Sequence, residues 1–137
     1  PQPEELSAAL SVIQLHLDDA RRELDDLDGA ISYGTVIGVG GSITTMAAVE
    51  LGLAEYDATR IHHFGLLREA AEDVFRTLAT ESRADRAYNP GLPTDRVDLI
   101  VGGSAIVVES MRHLSIEEIL VSEHDILDGV AAELMEP

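Results

Sequence analysis

Gly38-Val-Gly-Gly-Ser-Ile-Thr-Thr45 follows the β-branched run Thr35-Val-Ile37 and leads into Met46-Ala-Ala-Val49. A short apolar run, a glycine turn, hydroxyl residues and a second apolar stretch predict a strand–loop–helix unit. Glycines let backbone N–H groups and a helix N-terminus approach a ligand closely, a geometry suited to phosphate. The arrangement recurs where Val97-Asp-Leu-Ile-Val101 meets Gly102-Gly-Ser-Ala-Ile-Val107, which predicts a second strand and glycine turn. In an open parallel sheet both turns would face one crevice at the strands' C-terminal ends.

Neither turn carries a known nucleotide fingerprint. Ile43 stands where G-x-G-x-x-G needs its last glycine, and no Gly-Lys-Ser/Thr completes a P-loop. Ser42, Thr44 and Thr45 are placed either to cap the helix or to touch a ligand. Ser42 and Ser104 also lie outside any G-x-S-x-G nucleophile turn. His62-His63 could suggest a metal site, but neighbours on an extended segment point to opposite sides. His16 and His113 have no partner pattern, and His124 falls in an expected helix cap.

Outward from the glycine turns, Leu6, Leu10, Ile13, Leu17, Ala20, Leu24 and Leu27 alternate at spacings of four and three. They predict a long amphipathic helix from Glu4 to Leu27, closed at Asp28-Gly29 and lying over a sheet. A coiled-coil seam is the competing reading, weakened by Val12 and Leu15 off the seam. Expected next are a strand over Tyr33–Val39, a helix over Ser42–Leu51 and a connector over Leu53–Ile61. Phe64, Leu67, Ala71, Val74 and Leu78 predict another long helix. Asn89-Pro90-Gly91 marks a turn in the polar connection Ser82–Asp95. A strand over Val97–Val101 and a helix over Ser104–His113 follow. Ser115-Ile-Glu-Glu118 fits a capping box for a single turn, before a strand over Ile119–Val121. Ser122-Glu-His-Asp125 is placed to cap a last helix over His124–Leu134. The order helix–strand–helix–helix–strand–helix–strand–helix is that of an α/β fold with a partly parallel sheet. Three strands are few for so many covering helices, so further strands are expected from elsewhere in a longer protein.

The chain has 137 residues, 45% of them hydrophobic, enough for one domain with a core. It has no cysteine, so neither a disulfide framework nor a thiolate metal site is possible. No apolar run approaches the roughly 18–20 residues of a membrane span, and a cytoplasmic location is expected. Nine Lys+Arg, all of them arginine, oppose 26 Asp+Glu for a formal charge of −17. Such a surface argues against nucleic acid as a partner.

One family joins these pieces in order. Val36-Ile-Gly-Val-Gly-Gly-Ser-Ile-Thr-Thr-Met-Ala-Ala48, Ile61-His62, Asn89-Pro-Gly-Leu92, Asp95-Arg96, Asp98-Leu-Ile-Val-Gly-Gly-Ser-Ala-Ile106, Val121-Ser122 and Asp128-Gly129-Val130 form the series. It resembles the exopolyphosphatase/guanosine-pentaphosphate phosphohydrolase (Ppx/GppA) family over nearly the whole chain. The resemblance implies an actin-like, two-lobed ATPase-type fold with ribonuclease-H-like lobes. By it, residues 1–137 are the C-terminal half of the second lobe, without the three-stranded meander that opens that lobe. It further implies hydrolysis of the terminal phosphate of polyphosphate, or of guanosine pentaphosphate, with Mg²⁺ in the full-length protein.

The family's Asp-x-Gly-Ser and Asp-x-Gly-Gly-Gly-Ser phosphate loops are not found in this sequence. The resemblance therefore implies no catalytic or metal-binding residue here and an inactive fragment, completed by a preceding lobe and its phosphate loops. Gly40, Gly41 and Ser42 would line the crevice at the place of the adenosine-side glycine turn of related ATPases, with Gly102 and Gly103 at the next strand end. Two departures stand out: Ser42 occupies a position where Thr is common, and Ile126-Leu-Asp-Gly129 replaces Leu-Arg-Glu-Gly, so Leu127 cannot act as that arginine. Competing expectations are a sugar-kinase or chaperone-type ATPase lobe, and a non-enzymatic module that forms a homodimer through its first helix.

Overall fold

The computed structural model describes residues 1–28 and 34–135. The expected strand start at Tyr33, the helix stop at Gly29 and the side chain of Leu27 lie outside the described residues. Helix α1 (Pro3–Asp28) leads to β1 (Ile37–Val39) and α2 (Gly41–Glu50). A one-turn helix α3 (Ala58–Ile61), β2 (Gly65–Leu67) and α4 (Arg68–Thr80) follow. Next come another single turn, α5 (Arg83–Arg86), a 3-10 turn at Thr94–Arg96 and α6 (Ile100–His113). Strand β3 (Glu118–Ser122) and helix α7 (Ile126–Met135) complete the described fold.

The sheet has the order β1-β3-β2. β1 runs parallel to β3, with Gly38 opposite Val121, and β2 runs antiparallel to it, with Leu66 opposite Ile119. Gly38, Leu66, Ile119 and Val121 point to one face, where α2 and α4 pack on the strands and α6 packs on both helices. Met46, Ala47, Ala48, Ala71, Leu78, Val108 and Met111 fill this layer at no solvent exposure. Ile37, Val39 and Leu67 lie exposed on the other face, as period-two alternation requires when only one side is covered.

Three expectations change. The run Val97–Val101 is not a strand. Val97 is in the right-handed helical region, and α6 starts at Ile100. Buried Val97, Ile100, Val101, Ser104, Ala105, Val108 and Met111 recur at helical spacing, a pattern that so short an apolar run leaves open. Gly102 and Gly103 therefore sit within the first turn of a helix, and no second glycine turn exists there. Their expected place at a strand end falls with the strand.

The missing strand is found earlier. Phe64 and Leu67, expected at the start of a helix, belong to β2 and its approach. His63 adopts φ 66° and its N–H donates to the Val121 carbonyl, while the Val121 N–H donates to the Phe64 carbonyl. Pairing with β3 overrides the local helical spacing, and α4 begins only at Arg68. The third change concerns α1, which lies over α6 rather than over the sheet, with Leu6, Leu10, Ile13 and Leu17 half-buried. Gln14 Nε2 donates to the buried Glu109 carboxylate at 2.7 Å, and Arg21 donates to the His113 carbonyl at 3.0 Å.

Turn chemistry fixes the joints. Ser115 caps no helix start. At φ 55° it closes α6, with Ile116 N–H donating to the Met111 carbonyl and Ser115 N–H to that of Arg112. That is a Schellman motif with serine in the usual glycine place. The Asn89-Pro90-Gly91 turn forms as expected, with Leu92 N–H donating to the Asn89 carbonyl and Gly91 at φ 83°. Asp125 accepts from Leu127 N–H while Asp128 accepts from Asp125 N–H, a reciprocal cap on α7.

Candidate functional site

Because β1 and β3 are parallel, Val39 and Ser122 end at one edge of the sheet, and β2 begins there. The chain leaves β1 at Gly40, whose φ of 92° and ψ of 161° belong to a region only glycine occupies without strain. Gly40 is the N-cap of α2 and has no side chain to cap it. Its carbonyl accepts from the N–H groups of Ile43 and Thr44. The first turn of α2 contains no acidic residue. The N–H groups left without a helix partner and the positive end of the helix dipole favour an anion at this end.

Ser42 is not the cap that its position suggested. It faces Gly103 of α6, where a Cβ would fall on the Ser42 hydroxyl. Thr44 and Thr45 are buried, and the Thr44 hydroxyl donates back to the Gly41 carbonyl. Gly40, Gly41, Ser42 and Gly103 are thus brought together. Gly102 is exposed, with no atom in the space a Cβ would take, and does not join them.

The cation at this edge comes from Arg96, which stood in the sequence only as part of Asp95-Arg96. Its guanidinium occupies the space where a Cβ at Gly41 would lie. No ion pair to Arg96 is present among the described residues. Its position is held from below by Arg86, which is 6% exposed. Arg86 donates to the carbonyls of Leu78 at 2.6 Å, Glu81 at 3.0 Å and Val97 at 3.1 Å. The last of these carbonyls belongs to the residue after Arg96. One buried guanidinium therefore joins the end of α4 to the turn that carries the half-buried Arg96.

A polar rim completes the edge. Tyr56, about half exposed, donates its hydroxyl to Glu123 just past β3. Burial and the Glu123 carboxylate raise the Tyr56 pKa, against smaller lowering effects of Thr44 and Arg96. His62 and His63 also lie here with ring centroids 3.8 Å apart, and the His124 ring stands edge-on 4.9 Å from His62. Extended-chain alternation predicts that His62 and His63 point to opposite sides. The positive φ of His63 bends the segment, so the alternation rule for extended chain does not apply. No group of three or more acidic or histidine side chains among the described residues is arranged to hold a metal ion.

Arg96, Tyr56, Glu123 and the histidine contacts were missed for one reason. They meet at this end of the sheet from distant sequence positions, and no local spacing encodes the meeting. The signals for Arg96 were its membership of the Asp95-Arg96 pair and its place just before an apolar run.

The profile of the Ppx/GppA phosphatase family matches residues 10–136. The chain is 33% identical to exopolyphosphatase 2 of Mycobacterium tuberculosis across 98% of its own length and 42% of that protein's. It is 30% identical over 102 residues to a bifunctional 3-dehydroquinate synthase/phosphatase of Fusobacterium nucleatum, covering 74% of this chain and 15% of that one. Among solved structures, an exopolyphosphatase-like protein superposes with a TM-score of 0.87 at 27% identity, over 98% of this chain and 44% of the other. The Aquifex aeolicus Ppx/GppA family member superposes with a TM-score of 0.82 at 20% identity, over 100% and 44%. The fold is that of one part of an actin-like ATPase lobe, and this chain spans about two fifths of the exopolyphosphatase it matches. The chain belongs to the Ppx/GppA phosphatase family.

Proposed function

We propose that residues 1–137 form the C-terminal part of the second lobe of an exopolyphosphatase, which removes the terminal phosphate of inorganic polyphosphate. The observation that carries this reading is the Arg96 guanidinium set against Gly41 at the open N-terminus of α2. A guanidinium and a row of N–H groups bind phosphoryl oxygens and stabilise charge as it develops on them. This chain then supplies one wall of the crevice, and the groups that activate water and hold the reacting phosphate come from the preceding portion. The open edge of β1 and the uncovered sheet face with Ile37, Val39 and Leu67 are where the missing strands and lobe would pack.

Mg²⁺ does not fit this wall, whose N–H and guanidinium donors repel a cation. Its ligands are assigned to the preceding portion. The charge of −17 works against a polyanion at long range, so a basic track for the chain of phosphates belongs to that portion as well.

In the full-length protein, Arg96→Ala should raise KM for polyphosphate about tenfold or more, the loss expected for one charged hydrogen bond. An unchanged KM would remove Arg96 from the crevice. Guanosine pentaphosphate is the second reading, favoured by the exposed Tyr56 ring at the rim, an aromatic face on which a base can stack. Competition between the two substrates, repeated with Tyr56→Ala, separates them. Loss of guanosine pentaphosphate turnover alone would support the nucleotide.

A further inference from the structure

The histidines at the sheet edge add a side-chain tie just beyond the point where backbone bonds join the two segments, His63 N–H to the Val121 carbonyl and Val121 N–H to the Phe64 carbonyl. His62 follows α3 and precedes β2, whereas Glu123 and His124 follow β3 and precede α7. The Glu123 N–H donates to His62 Nδ1 at 3.2 Å. That bond requires Nδ1 to be an acceptor, so the neutral ring carries its proton on Nε2. A second proton would turn Nδ1 into a donor facing a donor. It would also place a cation beside the rings of His63 and His124.

We propose that His62, flanked by His63 and His124, is a proton-operated latch, which holds the Glu123 main chain just past β3 when neutral and releases it when protonated. Glu123 is the moving part. Its carboxylate holds the Tyr56 hydroxyl, and two residues later Asp125 caps α7. Release of the Glu123 amide therefore loosens both the rim of the crevice and the base of α7. Helix α7 can respond because none of its described residues is buried.

The surrounding charges set the direction. His63 on the same segment and His124 past β3 oppose a charge on His62, and the Glu123 carboxylate favours one. Asp128 of α7 lies 3.6 Å from His124 Nδ1 on the far side of the cluster. Tyr56 hydrogen-bonds to Glu123, and Arg96 acts on Tyr56. Burial first, and then the two imidazoles, lower the His62 pKa from its ordinary 6.5. A pKa lowered by folding means that the latch contributes fully above 6.5 and is lost as pH falls through the folded value.

The test follows ring nitrogen shifts and amide exchange by NMR in the labelled chain from about pH 7.5 to about pH 5. The expected result is a His62 ring protonated at Nε2, with Glu123 amide protection falling about tenfold per pH unit below the His62 midpoint. His62→Asn puts a non-titrating acceptor near the Nδ1 position and should make that protection independent of pH. His124→Gln removes one imidazole that opposes a charge on His62 and should raise the His62 midpoint, a readout that survives if His62→Asn fails to fold. A neutral His62 protonated at Nδ1, or flat Glu123 protection in the wild type, would overturn the latch. So would a transition unchanged in His62→Asn, or a His62 midpoint unmoved in His124→Gln.

Discussion

Gly103 of α6 lies against Ser42 of α2 so closely that a Cβ at Gly103 would meet the serine Oγ and Cβ. Two helix N-terminal turns thus touch at the crevice edge with no side chain from α6 between them. The neighbouring Gly102 faces open space. The two glycines should therefore respond to the same substitution with opposite sign. Gly102→Ala removes the entropic cost of a helical glycine and should stabilise the chain by about 0.5 kcal/mol. Gly103→Ala has the same local gain, but the Ser42 Cβ can retreat only by moving α2. Overpacking of about 1–3 kcal/mol should outweigh it and leave a net loss. Ser42→Gly should restore most of that loss. Urea unfolding of the two single variants and the Ser42/Gly103 double variant measures all three effects.

Arg86 is the buried charge on which the Arg96 turn depends. Replacing it by Met leaves the carbonyls of Leu78, Glu81 and Val97 without that donor. At about 1 kcal/mol or more for each unsatisfied group, the loss should reach about 3 kcal/mol. Lys in its place can reach fewer of the three and should recover only part of the loss. Equilibrium denaturation reads the stability, and equal stability of Arg86→Met and wild type would contradict the clasp.

Gly40 stands in open space, so its requirement is for backbone conformation rather than room. Gly40→Ala should cost about 1–3 kcal/mol through strain at φ 92°. The amide shifts of the first turn of α2 should move with it. A neutral effect would mean that the turn re-forms with another geometry.

On the acid side, Glu72 is the residue to follow. Its hydrogen bond from Arg112, at 2.7 Å, lowers its pKa from the ordinary 4.5, against a smaller opposing effect of burial. The pair joins α4 to α6. Its contribution should be complete above pH 4.5 and lost as pH falls through the lowered folded value. Glu72→Gln should flatten the fall of stability with pH in that range. An unchanged slope would show that the pair does not couple to folding.

Much of the fold was legible in the sequence because it is encoded locally. Helical spacing placed α1 and most of α4, the glycine turn placed β1 and α2, short apolar runs placed β3, and capping residues placed α7. Asn89-Pro90-Gly91 announced its turn through φ requirements that proline and glycine satisfy in place. Val97–Val101 and Phe64–Leu67 were misread because short apolar segments fit a strand or a helix equally well. Their partners decide: β3 takes Phe64–Leu67, and the α2–α4 layer takes Val97 and the Ile100 face of α6.

The sequence by itself determined the family, the α/β class and the glycine turn at Gly38–Thr45, since each rests on residue order and backbone preference. Only the tertiary structure decided what surrounds that turn. Arg96 reaches Gly41 across a separation of 55 residues, Gly103 proves to be a helix contact, and three histidines converge although local spacing sends two of them apart. Such meetings depend on how strands and helices stack, and no spacing along the chain records them.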